Sequence, residues 1–347
     1  MPASDIHVPV LLHEVLSIFS PRSGQRLLDA TMGHGGHAAA YLSQTAPDGF
    51  VTGFDADANA LTVANNNLSS YKHRFELIHA NFANLKNSLT GGGIVERGST
   101  FTNNPPNKIA GFHYVLFDLG VGTHQLSDAD RGFSFTAASN LNMRYGAADD
   151  LPDAKLSSLN DLRRRLGHLP DAVDILSHLD EISLVEIFRY YGEERYARRI
   201  ARAIKAADTM PATGVHLAEV IAKAVPAAYR HGRINPATRV FQALRLAVNR
   251  ELEALQAALP QALDLLLPEG IVAVISFHSL EDRIVKQTFR DWAKTCICPP
   301  QQPECTCEHK PSVEVITKKP ITASAEEINK NPRSRSAKLR AARKLPP

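Results

Sequence analysis

A chain of 347 residues with 44% apolar content can bury a sizeable core and is long enough for two domains, which excludes disorder throughout. No apolar run reaches the roughly 18 residues that span a bilayer. The first twenty residues, with Asp5, His7, His13 and Glu14, lack the basic start and apolar stretch of a secretory signal, so a cytoplasmic protein with no membrane partner is expected. The net charge of +3 hides an asymmetry. Arg333, Arg335, Lys338, Arg340, Arg343 and Lys344 place +6 and no acid in residues 331–347, which leaves −3 on the rest. Such an end reads either as a loose, solvated tail or as an arm that neutralises phosphates.

In chain order, short apolar runs bounded by Gly, Asp or Asn predict strands at 26–30, 50–54, 74–79, 112–117 and 270–277. The first three alternate with helical stretches at 36–46 and 58–68, the pattern of right-handed crossover units in a parallel sheet covered by helices on both faces. Residues 90–110, rich in Gly and containing two prolines, read as a loop. From about 140 to 235 helical periodicity replaces the alternation, so an all-helical insertion between two parts of one sheet domain is expected. Within it, 192–207 predicts a two-sided helix. Arg195, Arg198, Arg199, Arg202 and Lys205 share one sector, opposite Tyr196, Ile200, Ala203 and Ile204. Such a stripe is either an ordinary wet face or a phosphate-binding surface. The next helix is started by Asn235 and Pro236 and carries an apolar stripe of Val240, Phe241, Leu244, Val248, Leu252 and Leu255. Glu251 falls in that stripe and so requires a buried partner.

The stretch "LLDATMGHGGHAAAYL" at 27–42 runs from a strand through a glycine turn into a helix, the common plan of a nucleotide-type site. Gly33, Gly35 and Ala38 also satisfy G-x-G-x-x-A, which would fit a nicotinamide dinucleotide. Two features separate the candidates. Asp29 ends the strand four residues before Gly33, where a carboxylate repels a diphosphate and suits a sulfonium-bearing amino acid. The second is that Asn81 and Phe82 end the third strand, where the aromatic can stack on adenine, and Asp118 ends the fourth on the same edge, whereas Asp55, placed to accept from ribose hydroxyls, suits either cofactor. S-adenosylmethionine is therefore the expected cofactor.

The segments "HVPVLLHEVL", "LLDATMGHGGH", "FDLGVGTHQLSDADRGFSF", "YGEERYARRIARAI", "INPATRVFQALRLAVNREL", "ISFHSLEDRIVKQTF" and "NPRSRSAKLRAARK" follow one another nearly end to end. In them the chain resembles the bacterial ribosomal RNA small subunit methyltransferase H family (MraW-like). The resemblance implies a class I, Rossmann-like, S-adenosylmethionine-dependent methyltransferase sheet with an inserted all-helical substrate domain. It implies methylation of N4 of a cytidine in the decoding region of the small-subunit (16S) ribosomal RNA, with that RNA or the assembled 30S subunit as partner. Cofactor contacts carry over to Gly35, Gly36, His37, Asp55, Phe82, Asp118 and Gln125, with the main chain and ring of His37 facing the ligand. The expected division is 1–139 and 235–322 for the sheet domain, 140–234 for the helical insertion and 323–347 for a basic tail. Gly122, Thr123 and His124 stand where the family usually has Ser-Ser-Pro, and Asn142 and Tyr145 replace two acids of a DMRMD-like block. These departures fall on the side expected to face RNA.

Methyl transfer from a sulfonium is an in-line displacement, so positioning supplies much of the acceleration. A paired cytosine hides its amine, so the target must be unpaired or turned out. Asp118 could accept from that amine, while Ser276, His278 and Ser279 in "ISFHSLEDR" are further candidates beside the plain reading of a helix cap. The catalytic proton acceptor is left unassigned. Arg233, Arg239, the 195–205 stripe and the C-terminal cations are candidate RNA contacts. All four cysteines, Cys296, Cys298, Cys305 and Cys307, lie within twelve residues as two C-x-C pairs, which fits a reducing compartment. They could bind zinc tetrahedrally, although C-x-x-C is the usual spacing, or sit as free thiols in a Pro-rich surface loop. No metal is assigned from sequence. The rival readings are a nicotinamide oxidoreductase and a non-enzymatic rRNA-binding assembly factor.

Overall fold

The apolar runs bounded by Gly, Asp and Asn become adjacent parallel strands. The computed structural model describes residues 9–90, 111–120, 122, 131–135, 140–146, 151–232, 234–299, 301–302 and 304–347. By their internal contacts the residues divide into two units, 1–120 with 255–347, and 121–254. The first unit opens with α1 (Leu12–Phe19), then β1 (Arg26–Asp29), α2 (Gly36–Gln44), β2 (Phe50–Asp55), α3 (Ala58–Asn67), β3 (Phe75–His79), α4 (Leu85–Leu89) and β4 (Phe112–Asp118). The predicted loop at 90–110 lies outside the described residues except for its first, Thr90.

The second unit is helical: α5 (Ser157–Leu166), α6 (Ala172–His178), α7 (Glu181–Tyr190), α8 (Ala197–Lys205), α9 (Gly214–Ala224), α10 (Ala227–Arg230) and α11 (Thr238–Asn249). Three of these helices, α6, α7 and α9, start where a side chain satisfies one of the first amides. Asp171 and Asp174 form a reciprocal capping box on α6, Asp180 accepts from Ser183 N on α7, and Thr213 accepts from His216 N on α9. α7 packs on α8 and α11, and α8 on α9. The predicted stripe of α11 is buried throughout. Arg250 takes a left-handed conformation (φ 51°) that ends α11, and α12 (Glu251–Leu265) begins at the next residue. Glu251 finds the buried partners its position requires. Arg245 donates to both its oxygens (2.8 and 3.1 Å), and the Tyr145 hydroxyl donates to Oε1 (3.0 Å). Tyr145, which replaces an acid of the family block, also stacks on Phe133, so here it is part of the packing.

The helix predicted over 192–207 is shorter. It starts at Ala197, because Gly192 passes so close to the Arg239 and Phe188 carbonyls that a Cβ would lie 2.5 and 2.8 Å from them. Glu193 follows with φ 48°, and buried Glu194 accepts from Tyr196 N (2.7 Å) and the Tyr229 hydroxyl (2.8 Å). Tertiary packing here overrides a sequence that favours helix.

The chain returns through α12 to the first unit, with β5 (Leu266–Ser276), α13 (Ser279–Trp292), β6 (Val313–Val315), α14 (Ala325–Lys330) and β7 (Lys338–Lys344). The sheet order is β3-β2-β1-β4-β5-β7-β6. β1 to β5 are parallel, and β7 runs antiparallel to both neighbours. This is the doubly wound, Rossmann-like α/β sheet expected. Alternate residues of each strand face opposite sides. Leu27, Val51, Leu116, Ile275 and Leu339 join a core with α1, α2 and α3, while Leu28, Phe54, Val115, Phe117 and Val274 join one with α4, α12 and α13. Each such fully buried side chain contributes about 1.5–3 kcal/mol. Among the described residues no helix is long and apolar enough to cross a membrane.

The basic C-terminal stretch, expected as a tail, is instead built into this sheet. Leu339, Ala341 and Ala342 are fully buried, and four of the six cations have fixed partners. Arg340 is buried and grips Asp282 of α13 with Nε (2.7 Å) and Nη2 (3.3 Å), assisted by Lys338 (3.5 Å). Arg343 pairs with Glu314 (2.9 Å), and Lys344 Nζ caps α12 through the Leu266 carbonyl (2.6 Å). Only Arg333 and Arg335 are fully exposed. Burial raises the Asp282 pKa, but the hydrogen bonds and charges of Arg340 and Lys338 outweigh it and the net shift is downward. The stability that this pair contributes is therefore full above about pH 4, the unfolded value, and fades as acid takes the pH through the lower folded value. Asp282→Asn leaves a buried guanidinium without its counter-charge and is expected to cost about 3 kcal/mol in urea unfolding at pH 7. A cost below about 0.5 kcal/mol, within the range of ordinary surface changes, would show that backbone pairing alone holds β7.

Candidate functional site

β1 and β4 are neighbours in the sheet but β1's next element crosses to β2, so the strand order reverses between them. In open α/β sheets ligands bind at the carboxyl ends of strands flanking such a switch point. β2, β1 and β4 end there in Asp55, Asp29 and Asp118.

The turn after β1 is built to approach that edge. Met32 N donates to the Phe54 carbonyl (2.7 Å) and Gly35 N to the Met32 carbonyl (2.8 Å), which folds the chain back on itself. Gly35, at φ 81°, is the N-cap of α2 in the left-handed region that favours glycine. Gly36 has no room for a side chain, since a Cβ would lie 2.5 Å from Pro9 Cγ. Gly33 N donates to Asp55 Oδ2 (2.8 Å), and Asp57 N to Asp55 Oδ1 (2.8 Å). Two backbone amides thus fix the orientation of the Asp55 carboxylate at the strand end.

Asp118 is held equally firmly. Its amide donates to Thr31 Oγ1 (2.6 Å) and its Oδ2 lies 3.6 Å from His37 Nδ1. Its Oδ1 is buried and finds no hydrogen-bond partner among the described residues. The His37 ring is itself buried, with Nε2 3.1 Å from the Val10 carbonyl. Phe82 opens a 3-10 turn after β3, where Asn81 Oδ1 accepts from Ala83 N (2.8 Å), and meets Phe117 edge-on at 5.8 Å with part of its ring exposed. Gln125, Thr123 and His124 lie outside the described residues.

Sequence reasoning used Asp29 to weigh cofactors without placing it in the site, and it read Glu281 only as part of a cap. Both belong to the site's electrostatics. Asp29 is buried, and burial pushes its pKa up to about 7 although the Thr31 amide pulls the other way and the Asp55 charge adds to the rise. Asp118 is raised well above the ordinary carboxylate range by burial first, then by Asp29 and by Glu281. Carboxylates so close and so dry cannot all ionise alone, and the field they create favours a cation. Glu281 also accepts from the Phe277 amide (2.8 Å) and forms a capping box with His278, the N-cap of α13. Ser276 is buried, with its hydroxyl on the Lys338 carbonyl (3.3 Å). Thus Ser276 and His278 are engaged in holding the β5–α13 turn.

In the second unit, Arg198, Arg199 and Arg202 of α8 are exposed, Arg202 lying 3.6 Å from Glu181. Lys205 turns inward to the carbonyls of Leu176 and Ser177 at the end of α6. Arg195, on the turn before α8, lies over the Tyr196 ring at 5.3 Å, and Arg239 donates to the Glu193 carbonyl (2.9 Å). Arg233 lies outside the described residues.

The model of the MraW methylase family matches residues 4–345 of this chain. A ribosomal RNA small subunit methyltransferase H from Heliobacterium modesticaldum is 44% identical over 342 residues, covering 98% of each chain. Its counterpart from Thermomicrobium roseum is 43% identical over 346 residues, covering 99% of this chain and 95% of its own. Among solved structures, an rRNA methylase from Streptococcus thermophilus aligns over 98% of this chain and 99% of its own at 11% identity and a TM-score of 0.39, too low to bear on the fold, which rests on the strand order itself. With a family model that spans the chain and relatives this similar over their whole length, the protein belongs to the MraW methylase family.

Proposed function

We infer that this protein takes a methyl group from S-adenosylmethionine and places it on N4 of a cytidine in the decoding region of the small-subunit (16S) ribosomal RNA. The carrying observation is the set of strand-end carboxylates beside the glycine turn, with an Asp118 oxygen that is buried and lacks a donor. A cofactor bearing an ammonium group and a positive sulfur supplies both the missing donor and the missing charge, whereas the diphosphate of a nicotinamide dinucleotide would add negative charge to carboxylates already raised by one another. On this reading Asp55 accepts the ribose hydroxyls, Gly35 and Gly36 let the backbone come close, and Phe82 covers the adenine. Asp118, positioned by Thr31 and His37, lies toward the amino-acid end, and Gln125 completes the contacts from the following segment.

When bound, the cofactor supplies an electrophilic methyl group, which leaves sulfur as the N4–C bond forms and the amine gives up one proton. The chain's part is to hold donor and acceptor in line and to exclude water. RNA is taken up through phosphates by the exposed arginines of α8, in the helical unit that serves substrate recognition. The base is recognised unpaired or turned out of its helix. The partner is the RNA itself or the assembled 30S subunit.

Incubation of the full chain with methyl-labelled S-adenosylmethionine and small subunits, followed by nucleoside analysis, is expected to yield labelled N4-methylcytidine. Label on another nucleoside, or none on free RNA or subunits, contradicts the reading. In the same system Arg198→Glu with Arg202→Glu is expected to lower RNA affinity at least tenfold and to reduce the salt slope by about 2, with cofactor affinity unchanged. Unaltered RNA affinity removes α8 from the interface.

Cofactor affinity is also expected to depend on pH in one direction. A cationic ligand favours the ionised form of Asp29, whose pKa in the free protein is about 7. Affinity should rise with pH between 5 and 7, the Asp29 proton contributing up to about tenfold per pH unit. Calorimetric titration across that range checks it, and Asp29→Asn should flatten the curve. A wild-type affinity that falls with rising pH would reverse the assignment.

A further inference from the structure

We propose that Cys296, Cys298, Cys305 and Cys307 bind one zinc ion that folds the segment between α13 and β6. The four Sγ atoms lie within 4.8 Å of one another. Cys305 and Cys307 are 3.6 Å apart and Cys307 and Cys296 3.8 Å apart. A zinc ion with four thiolates at about 2.3 Å in a tetrahedron spaces its sulfurs by about 3.8 Å, so these separations suit a shared metal. They are far longer than the roughly 2.05 Å of a disulfide, and all four thiols are free. The ligand set is sulfur alone, which selects zinc over magnesium or calcium.

The backbone around the sulfurs has the form that thiolate sites need. Ile297 N points at Cys307 Sγ and Cys298 N at Cys296 Sγ, both at 3.4 Å. Amide donors of this kind spread the negative charge of metal-bound thiolates and fix their direction. Glu308, directly after Cys307, takes φ 49°, which turns the chain sharply as it leaves the cluster. The piece joining the two pairs is tied by Gln302 N to the Pro299 carbonyl (3.0 Å) and by the Gln302 side chain to Thr306 Oγ1 (2.8 Å). The unusual C-x-C spacing is thereby accommodated, because two short pairs approach each other across one turn.

Among its described residues the segment has little apolar packing to hold it. Its base is closed by Ser312 N on the Trp292 carbonyl (2.8 Å), but among the described residues between 294 and 311 the sole large apolar side chain, Ile297, is 61% exposed. A short stretch without a hydrophobic core requires a covalent or metal fastening to hold one conformation. The role is structural. The segment leaves the C-terminal end of α13, a helix of 14 residues and so about 21 Å long, whereas His278 and Glu281 are at its other end.

The full chain, purified with reductant and without chelator, is expected to carry one zinc per molecule by plasma mass spectrometry, and Cys296→Ser with Cys307→Ser less than a tenth of that. Replacing zinc by Co2+ in the wild type should give the intense visible absorption of tetrahedral tetrathiolate cobalt, a readout that does not depend on how the variant folds. Trypsin should cut after Lys294 only once the metal is removed, while affinity for S-adenosylmethionine stays within twofold. Metal-free protein from zinc-supplemented cells with four equally reactive thiols would overturn the proposal, as would stoichiometric iron in place of zinc.

Discussion

The ends of two adjacent parallel strands bring Asp29 and Asp118 near enough for the charge of one to raise the other, and this is the constraint around which the first unit is organised. Burying two carboxylates together is costly, and the raised pKa of each records that cost. Asp29 contributes most to stability below about pH 4, where it is neutral folded and unfolded alike. That advantage is lost as pH rises through about 7. At neutral pH the free protein therefore keeps a destabilised edge, as expected where function needs a charge distribution that folding alone would avoid. The surrounding residues make it tolerable. Thr31 serves both acids, its amide donating to Asp29 and its hydroxyl accepting from Asp118 N. The Gly33 amide fixes Asp55, and the fit of Gly36 under Pro9 fixes the start of α2.

The polar clusters of the second unit obey different physics. There the two acids after α11 are held by specific donors. Glu251 is held by Arg245 and Tyr145, while Glu253 accepts from the Tyr191 hydroxyl (2.6 Å) and the Lys155 amide (2.9 Å). Such pairs add little net stability but fix which helix faces which. The sign of the charge that gathers in each unit is therefore informative. In the first unit it is negative, buried and at the strand edge; on α8 it is positive and exposed, where a polyanion can reach it.

Much of this was legible in the residues. β1, β4 and the second half of β5, in the middle of the sheet, are buried on both faces and so read as apolar runs, and the glycine turn and the acids after the strands follow from their order. What was not legible depends on partners distant in sequence. β7 is a sheet strand whose buried positions are filled by Leu339, Arg340, Ala341 and Ala342, a composition of weak strand propensity and high charge. Only the pairing with β5 and the carboxylate of Asp282 explain why Arg340 is inside. Likewise the sequence from Gly192 to Tyr196 favours helix, and the turn found there exists because Glu194 is bound by Tyr229, which lies 35 residues on. Glu281 was hidden by its own cap signature, since the third residue of α13, which completes its capping box, is also the one whose charge bears on Asp118.

The claim on which the account rests is that this strand edge was shaped for a cation and rejects a diphosphate. Calorimetric titration of the intact protein with S-adenosylmethionine and, in parallel, with a nicotinamide dinucleotide tests it most directly. The account predicts saturation at one S-adenosylmethionine per chain and no heat from the dinucleotide. Binding of the dinucleotide with no binding of the sulfonium would contradict it.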